Sequence, residues 1–192
     1  MSGGGFHVHG PHDHEVEHAA QHGGADSMAG MIAVITAILA TIGALFAYMG
    51  GATQANAGLY KNNAAIKKTE ASNQWNYFQS KSTKQSLAEF ARDLAPPEKK
   101  VDYQAKVDRY EREKKEIEAE ARKLDAQSVE WDKQSDEQMH QHHRWAQATT
   151  VLQVSIALAA IALLTKKKWL ERGMFAVAVA GLAVGVLAAL HI

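Results

Sequence analysis

The stretch MAGMIAVITAILATIGALFAYMGG, from Met28 to Gly51, decides the fold class of this chain. It lies within 34 consecutive residues that carry no charged side chain, between Asp26 and Lys61. A helix of about 20 apolar residues crosses the hydrocarbon core of a bilayer, so we predict a transmembrane helix over residues 28–51. A cleaved signal peptide is the alternative, but residues 1–27 contain no Lys or Arg, and the apolar stretch is longer than signal peptides normally have.

Two later windows have the same character. WAQATTVLQVSIALAAIALLT over residues 145–165 and GMFAVAVAGLAVGVLAAL over residues 173–190 contain no charged side chain. Each is within the length range of a spanning helix. The third window is shorter and rich in Ala, which leaves a re-entrant or interfacial helix as an alternative. We therefore predict a multi-pass membrane protein with three transmembrane helices.

The link between the second and third windows predicts the orientation. It covers residues 166–172 and carries one acidic side chain against four basic ones, which are Lys166, Lys167, Lys168 and Arg172. Short basic loops stay in the cytoplasm. We therefore predict that this loop and the N-terminal tail are cytoplasmic and that residues 52–144 are periplasmic. The tail is a contrary hint, since it contains four acidic residues and no Lys or Arg.

The segment 52–144 is predicted to be a long antiparallel helical hairpin. Its two prolines are adjacent at Pro96-Pro97, which places one turn at residues 95–98. Large side chains recur every seven residues in the second half, at Tyr103, Tyr110, Ile117, Leu124, Trp131, Gln138 and Trp145. Their companions are small or polar, at Val107, Lys114, Ala121, Ser128, Ser135 and His142. A thinner set in the first half, predicted to pack against the second, comprises Leu59, Ile66, Leu87 and Leu94.

The predicted fold class is an all-α membrane protein with three transmembrane helices and a coiled-coil-like hairpin between the first and the second. The two seven-residue series form the expected contact seams between the helices, and many of their positions are small or polar. We therefore expect the hairpin to bury further apolar surface against copies of itself, as a homo-oligomer. Gly181 and Gly185 form a small-xxx-small pair in the third span, and such pairs let helices approach closely in lipid. We predict an oligomer contact there; packing of the three helices within one chain is the alternative.

Composition excludes several classes of function. The 21 Lys plus Arg balance 21 Asp plus Glu, whereas nucleic acid favours a concentrated basic surface, so no nucleic-acid partner is predicted. The absence of Cys excludes disulfide frameworks, thiol catalysis and thiolate metal sites. No G-x-S-x-G, P-loop or G-x-G-x-x-G motif occurs in the sequence, and the pattern H-E-x-x-H occurs only at residues 14–18, in a tail that we expect to be disordered, whereas this motif binds metal from a helix. We therefore predict neither an enzyme nor a cofactor.

The N-terminal tail, residues 1–27, is a candidate metal site that we expect to be disordered because it is rich in Gly. Six histidines stand among its acidic residues, at His7, His9, His12, His14, His18 and His22. Imidazole with carboxylate suits Zn, Ni or Cu, but the irregular spacing predicts loose binding, and a solvated tail without a ligand is the alternative. A second group, His140, His142 and His143, precedes the second span. The predicted orientation puts it across the membrane from the tail, so the two groups do not share a site.

Residues 72–81, SNQWNYFQSK, resemble the W-x-Y-[YF]-Q-x-K block of DUF4337, a family of bacterial membrane proteins. The matching residues are Trp75, Tyr77, Phe78, Gln79 and Lys81. The resemblance extends over nearly the whole chain and implies a bacterial inner-membrane protein, but no activity. Trp75 and Phe78 are one helical turn apart and share a face, while Tyr77 points elsewhere. We expect these three aromatic residues to contact another protomer or a partner, since such residues dominate interfaces; packing within the hairpin is the alternative.

These features predict a structural or assembly protein whose helical arm is an interaction scaffold. Its expected partners are the bilayer, copies of the chain and an unidentified membrane or periplasmic protein. The first alternative is an oligomeric channel or conduit, and the second is metal binding or sensing through the histidine tail. No Asp, Glu, Lys or Arg lies within the three windows, which disfavours a secondary transporter.

Overall fold

The computed structural model describes residues 28–191, which form three α-helices and no strand. Helix α1 covers Met28–Leu94, α2 covers Pro97–Thr165 and α3 covers Lys168–Ala189. Each helix contains a window that is long and apolar enough to cross a membrane. The predicted all-α class, with three such helices and a hairpin between the first two, is confirmed. The histidines of the predicted tail lie outside the described residues.

The turn between α1 and α2 is produced by the two adjacent prolines. Ala95 and Pro96 each precede a proline, and a residue in that position is pushed out of the helical region, so α1 ends at Leu94. Pro97 is the first residue of α2, where the missing N–H of proline leaves no helical bond unmade. The amide of Lys99 donates to the carbonyl oxygen of Pro96 at 3.0 Å, which closes the first turn.

The chain divides into two compact units. The hairpin unit is Ala55–Gln138, and the span unit combines residues 28–54 with residues 139–191. In the span unit, Ile32, Leu152 and Met174 are fully buried. They belong to two clusters, one of which also contains Ala159, Ala162 and Leu170, and the other Leu39 and Ala178.

Alanine and serine form much of the core of the hairpin unit. Ala57, Ala64 and Ala71, at seven-residue intervals on α1, are at most 5% exposed. On α2 the buried residues are Val107, Ile117, Ala121, Leu124, Ser128 and Ser135. These α2 residues are members of the two series that the sequence predicts, which confirms the seam of the second half.

The seam predicted for the first half of the hairpin is wrong. Leu59 and Ile66 are 55% and 46% exposed, and Leu87 and Leu94 are 67% and 72% exposed. The buried series begins at Ala57, two residues earlier, and therefore lies on a different face of α1. Small side chains occupy that face because the helix backbones approach closely there, as the hydrogen bonds described below show.

The link between α2 and α3 consists of Lys166 and Lys167, and Lys168 and Arg172 lie within α3. The amide of Lys166 donates to the carbonyl oxygen of Ala162 at 2.9 Å. Lys166 has a φ of 53°, the left-handed conformation in which helices commonly end. The positive charges thus stand at a helix end and in the first turns of the next helix.

Candidate interaction surfaces

The inner seam of the hairpin is held by hydrogen bonds from serine hydroxyls to main-chain carbonyls. Ser128 Oγ donates to the carbonyl oxygen of Ala64 at 2.9 Å, and Ser135 Oγ donates to that of Ala57 at 2.8 Å. The two serines are seven residues apart on α2, and the two alanines are seven residues apart on α1 in the opposite direction. A hydroxyl on so short a side chain reaches the facing main chain only where two helices are in close contact. The backbones of α1 and α2 therefore lie close together at these two levels of the seam.

Trp75 lies at a polar junction between the two helices of the hairpin. Its Nε1–H donates to Asp125 Oδ2 at 2.9 Å, and Lys68 Nζ donates to Asp125 Oδ1 at 2.8 Å. The hydrogen bond from Lys68, followed by that from Trp75, lowers the pKa of Asp125 from its ordinary value. The Trp75 ring contacts Phe78 edge-on at a centroid distance of 5.7 Å. Trp75 and Phe78 therefore pack within the hairpin, which is the alternative that the sequence left open to contact with another protomer or a partner.

Lys81 forms a second junction one turn beyond Phe78. Its Nζ pairs with Glu113 Oε2 at 2.6 Å, and the Lys81 side chain is only 14% exposed. The hydrogen bond with Glu113, followed by that with Tyr77, raises the pKa of Lys81, and the hydrogen bond with Lys81 lowers the pKa of Glu113. The ammonium group also lies 5.0 Å from the centroid of the Tyr77 ring, a distance suited to a cation–π contact.

These junctions give a physical role to most of the block that carries the family resemblance. Trp75, Phe78 and Lys81 follow one another at three-residue steps, and each contacts the second helix or its side chains. Gln79 is exposed. Tyr77, at 48% exposure, is the one aromatic residue of the block with half of its surface free.

An apolar patch lies on the outside of the hairpin near the turn. Leu87, Phe90 and Leu94, which we call the tip patch, are 67%, 64% and 72% exposed. Their spacing of three and then four residues puts them on one face of α1. Val101, near the start of α2, is 74% exposed. Sequence analysis missed Phe90, although its spacing from Leu87 and Leu94 is the signal that would have found it.

Gly181 and Gly185 make close contacts within the span unit. A Cβ at Gly181 would lie 2.8 Å from Leu152 Cδ2 and 3.2 Å from the Leu152 main-chain nitrogen, and one at Gly185 would overlap the ring of Phe46. The Phe46 ring in turn contacts Trp145 at a centroid distance of 5.3 Å. The two glycines therefore serve packing within one chain, the second of the alternatives that the sequence leaves open, instead of presenting a free ridge to another copy.

The second histidine group includes a contact to the main chain. The carbonyl oxygen of Gly50 lies 2.8 Å from Nδ1 of His142; because a carbonyl accepts, this nitrogen is the donor. The rings of His142 and His143 are 5.7 Å apart. Within residues 28–191, no group of three or more His, Asp or Glu side chains is arranged to hold a metal ion. His142 therefore has a packing role between α1 and α2.

The class of protein follows from the three apolar helices, which are those of a multi-pass membrane protein. The sequence model of DUF4337, a domain of unknown function, matches residues 28–191. The chain belongs to this family. Comparisons with curated proteins and with solved structures gave no match.

Proposed function

We propose that this protein is a non-enzymatic structural component of a bacterial inner membrane, which assembles into homo-oligomers and uses its hairpin as an interaction scaffold. One observation carries the proposal. Small side chains, among them Ala57 and Ala64, are buried in the inner seam of the hairpin, whereas large apolar side chains, above all Leu87, Phe90 and Leu94, lie on its outer surface.

The energetics of the tip patch support self-assembly. Full burial of a Leu or Phe side chain contributes about 1.5 to 3 kcal/mol, and clustered exposed apolar side chains mark interaction sites. The patch lies in the charged hairpin unit, outside the apolar windows, so lipid is not its natural cover. A copy of the hairpin or an apolar surface of a partner protein would cover it.

The charge of the basic link supports the proposed orientation. Lys166 and Lys167 separate α2 from α3, and Lys168 begins α3. Basic residues beside short loops are retained in the cytoplasm, and Trp is enriched at the boundary between lipid and water. Trp169, beside Lys168, is 67% exposed and suits that boundary. We accordingly propose a cytoplasmic N-terminus and a periplasmic hairpin.

The role of the polar side chains supports a function without catalysis. The carboxylates with lowered pKa values, Asp125 and Glu113, are each paired with a lysine of the facing helix. Their charges are therefore used to hold the hairpin together. This arrangement fits a scaffold, in which geometry and surface complementarity provide the function.

The test is the oligomeric state of the full-length protein, extracted in a mild detergent and measured by native mass spectrometry. We expect a wild-type oligomer and a reduced oligomer fraction for Phe90→Gln. The matched control is Val129→Gln, because Val129 is 69% exposed but lies outside the tip patch; it should retain the oligomer. A wild-type chain that is monomeric both in detergent and after cross-linking in its native membrane would contradict the proposal.

A further inference from the structure

The uncharged polar side chains of the three apolar windows differ in how their hydrogen bonds are satisfied. Every Ser and Thr hydroxyl in these windows donates to a main-chain carbonyl. The donors are Thr36, Thr41, Thr149, Thr150, Ser155 and Thr165. Ser155 makes its bond across the helix interface, to the carbonyl oxygen of Met174 at 2.9 Å. These hydroxyls therefore do not need a partner from another molecule.

Two glutamines, Gln147 and Gln153, are different. Both are exposed on the surface of α2, and among the residues that the structure describes neither has a hydrogen-bond partner. Gln147 is the third residue of the window 145–165, close to its end, where water is near enough to satisfy its amide. A glutamine amide has two N–H donors and a carbonyl acceptor. Gln153 is the ninth residue of the 21-residue window 145–165. At 1.5 Å of rise per residue, it lies within about 3 Å of the middle of that window.

An unpaired amide at this depth is unfavourable. The hydrocarbon core contains no water to satisfy its donors and acceptor, and a side chain with so short a stem does not reach the polar headgroups from the middle of the bilayer. Polar residues within spans pair with polar groups on other helices. The unused hydrogen-bonding capacity of Gln153 therefore indicates a contact with a helix outside this chain.

We infer that Gln153 pairs with Gln153 of a second copy of this chain, through a parallel two-fold contact along the α2 spans. The inference rests on the proposed self-assembly and identifies its membrane contact. An amide is self-complementary because it donates and accepts, and copies inserted in one orientation bring identical residues together at the same depth. Thr150 and Ala157, one turn before and after Gln153 on the same exposed face, are small enough for two helices to approach closely.

The chain lacks Cys, so single cysteines report this contact without background. Ala157→Cys is placed in purified full-length protein, reconstituted in phosphatidylcholine vesicles at low protein density and oxidised with copper phenanthroline. We expect a disulfide-linked dimer, because a disulfide requires Cα atoms within about 7 Å of each other. The control is Ile38→Cys, since Ile38 is 53% exposed near the middle of the window 28–51 but lies on α1, outside the proposed contact; it should give little dimer.

Substitution of the amide tests its role directly. In the Ala157→Cys background, Gln153→Leu should lower dimer formation about tenfold, the loss expected when two interhelical hydrogen bonds in lipid are removed. Gln153→Asn, which keeps an amide, should retain most of the dimer. An unchanged yield with Gln153→Leu, or equal yields at positions 38 and 157, would overturn the inference.

A third cysteine separates this inference from the proposed function. If Phe90→Cys forms dimers and Ala157→Cys does not, self-assembly through the hairpin stands and the membrane contact is rejected. If neither variant forms dimers, both proposals fail. If Ala157→Cys forms disulfides in native membranes only with a cysteine of another protein, the face belongs to that partner and the inference of a second copy is wrong.

Discussion

The hydroxyl of Ser128 on α2 donates a hydrogen bond of 2.9 Å to the main-chain carbonyl oxygen of Ala64 on α1. Because Ala64 is 5% exposed and Ser128 is 8% exposed, this contact lies in the interior of the hairpin. The Ala64 carbonyl group is part of the backbone of α1, so the bond from Ser128 is additional to the hydrogen bonds within that helix and does not replace one of them. The pair thus sets how closely the two helices approach.

Ala64→Leu is expected to destabilise the hairpin, because the larger side chain would push Ser128 and the facing backbone away. Overpacking of this kind costs about 1 to 3 kcal/mol. The measurement is thermal unfolding of the full-length protein in detergent, followed by circular dichroism. Ala65→Leu is the matched control, since Ala65 is exposed and the same substitution there has room. Equal melting temperatures for the two variants would argue against a close seam.

Ser128→Ala isolates the hydrogen bond from the packing. It removes the donor and leaves the Ala64 carbonyl within its helix, so we expect a loss of about 0.5 to 1.5 kcal/mol in the free energy of unfolding. Ser128→Thr keeps the hydroxyl but adds a methyl group to the seam. If Ser128→Ala proves as stable as the wild type in chemical denaturation, the hydrogen bond makes no net contribution to the hairpin.

The sequence predicts the second half of this seam but not the first, and the reason is the size of the residues. On α2 the seam contains Ile117 and Leu124, whose seven-residue spacing is easily recognised. On α1 it consists of Ala57, Ala64 and Ala71, and alanine is too common in helices to mark a face. A search for large hydrophobic side chains therefore selects Leu59, Leu87 and Leu94 of α1, which are exposed on the outside of the hairpin.

The boundary of α3 shows a similar limit. The charges of Lys166, Lys167, Lys168 and Arg172 indicate where the apolar window stops, but they do not stop a helix. Lys, Leu, Glu and Arg are good helix formers, so α3 already begins at Lys168. The sequence thus predicts which residues lie in lipid better than it predicts where a helix ends.

For Gln153, the sequence identifies a polar residue within an apolar window, but only the structure shows that its side chain faces outward without a partner.

Gly185→Ala is expected to destabilise the span unit. The added Cβ would overlap the ring of Phe46, which is held against Trp145, and a clash of this type costs about 1 to 3 kcal/mol. Gly173→Ala is the control, because a Cβ at Gly173 meets nothing within 4 Å. It should be neutral or stabilising, since Ala favours a helix over Gly by about 1 kcal/mol.

Unfolding in mixed micelles with increasing sodium dodecyl sulfate provides the measurement for the two glycine variants. The double variant Gly185→Ala with Phe46→Leu tests the cause, because removal of the ring should recover much of the loss. If Gly185→Ala resists denaturation as well as Gly173→Ala does, the contact between Gly185 and Phe46 is looser than the structure indicates.

The ion pair between Lys81 and Glu113 predicts how stability depends on pH. The pKa of Glu113 is lowered from its ordinary value of 4.5 by its hydrogen bond with Lys81, so its contribution is present above that value and is lost as the pH falls through the lower pKa of the folded state. The pKa of Lys81 is raised from 10.5 by Glu113. Its contribution is therefore complete below 10.5 and is lost as the pH rises through the higher pKa of the folded state.

Both groups contribute in the window between these two ordinary values, and there Glu113→Gln should lower the melting temperature of the full-length protein. As the pH falls below 4.5 and through the lowered pKa of Glu113 in the folded state, the difference between the wild type and the variant should shrink, because the wild-type carboxylate is then protonated. The control is Glu118→Gln, since within residues 28–191 Glu118 pairs only with Arg122 on the same helix, and exposed pairs of this kind contribute little. A difference between Glu113→Gln and the wild type that stays constant from neutral to acidic pH would mean that the side chain acts through its shape, and that the ion pair does not hold α1 to α2.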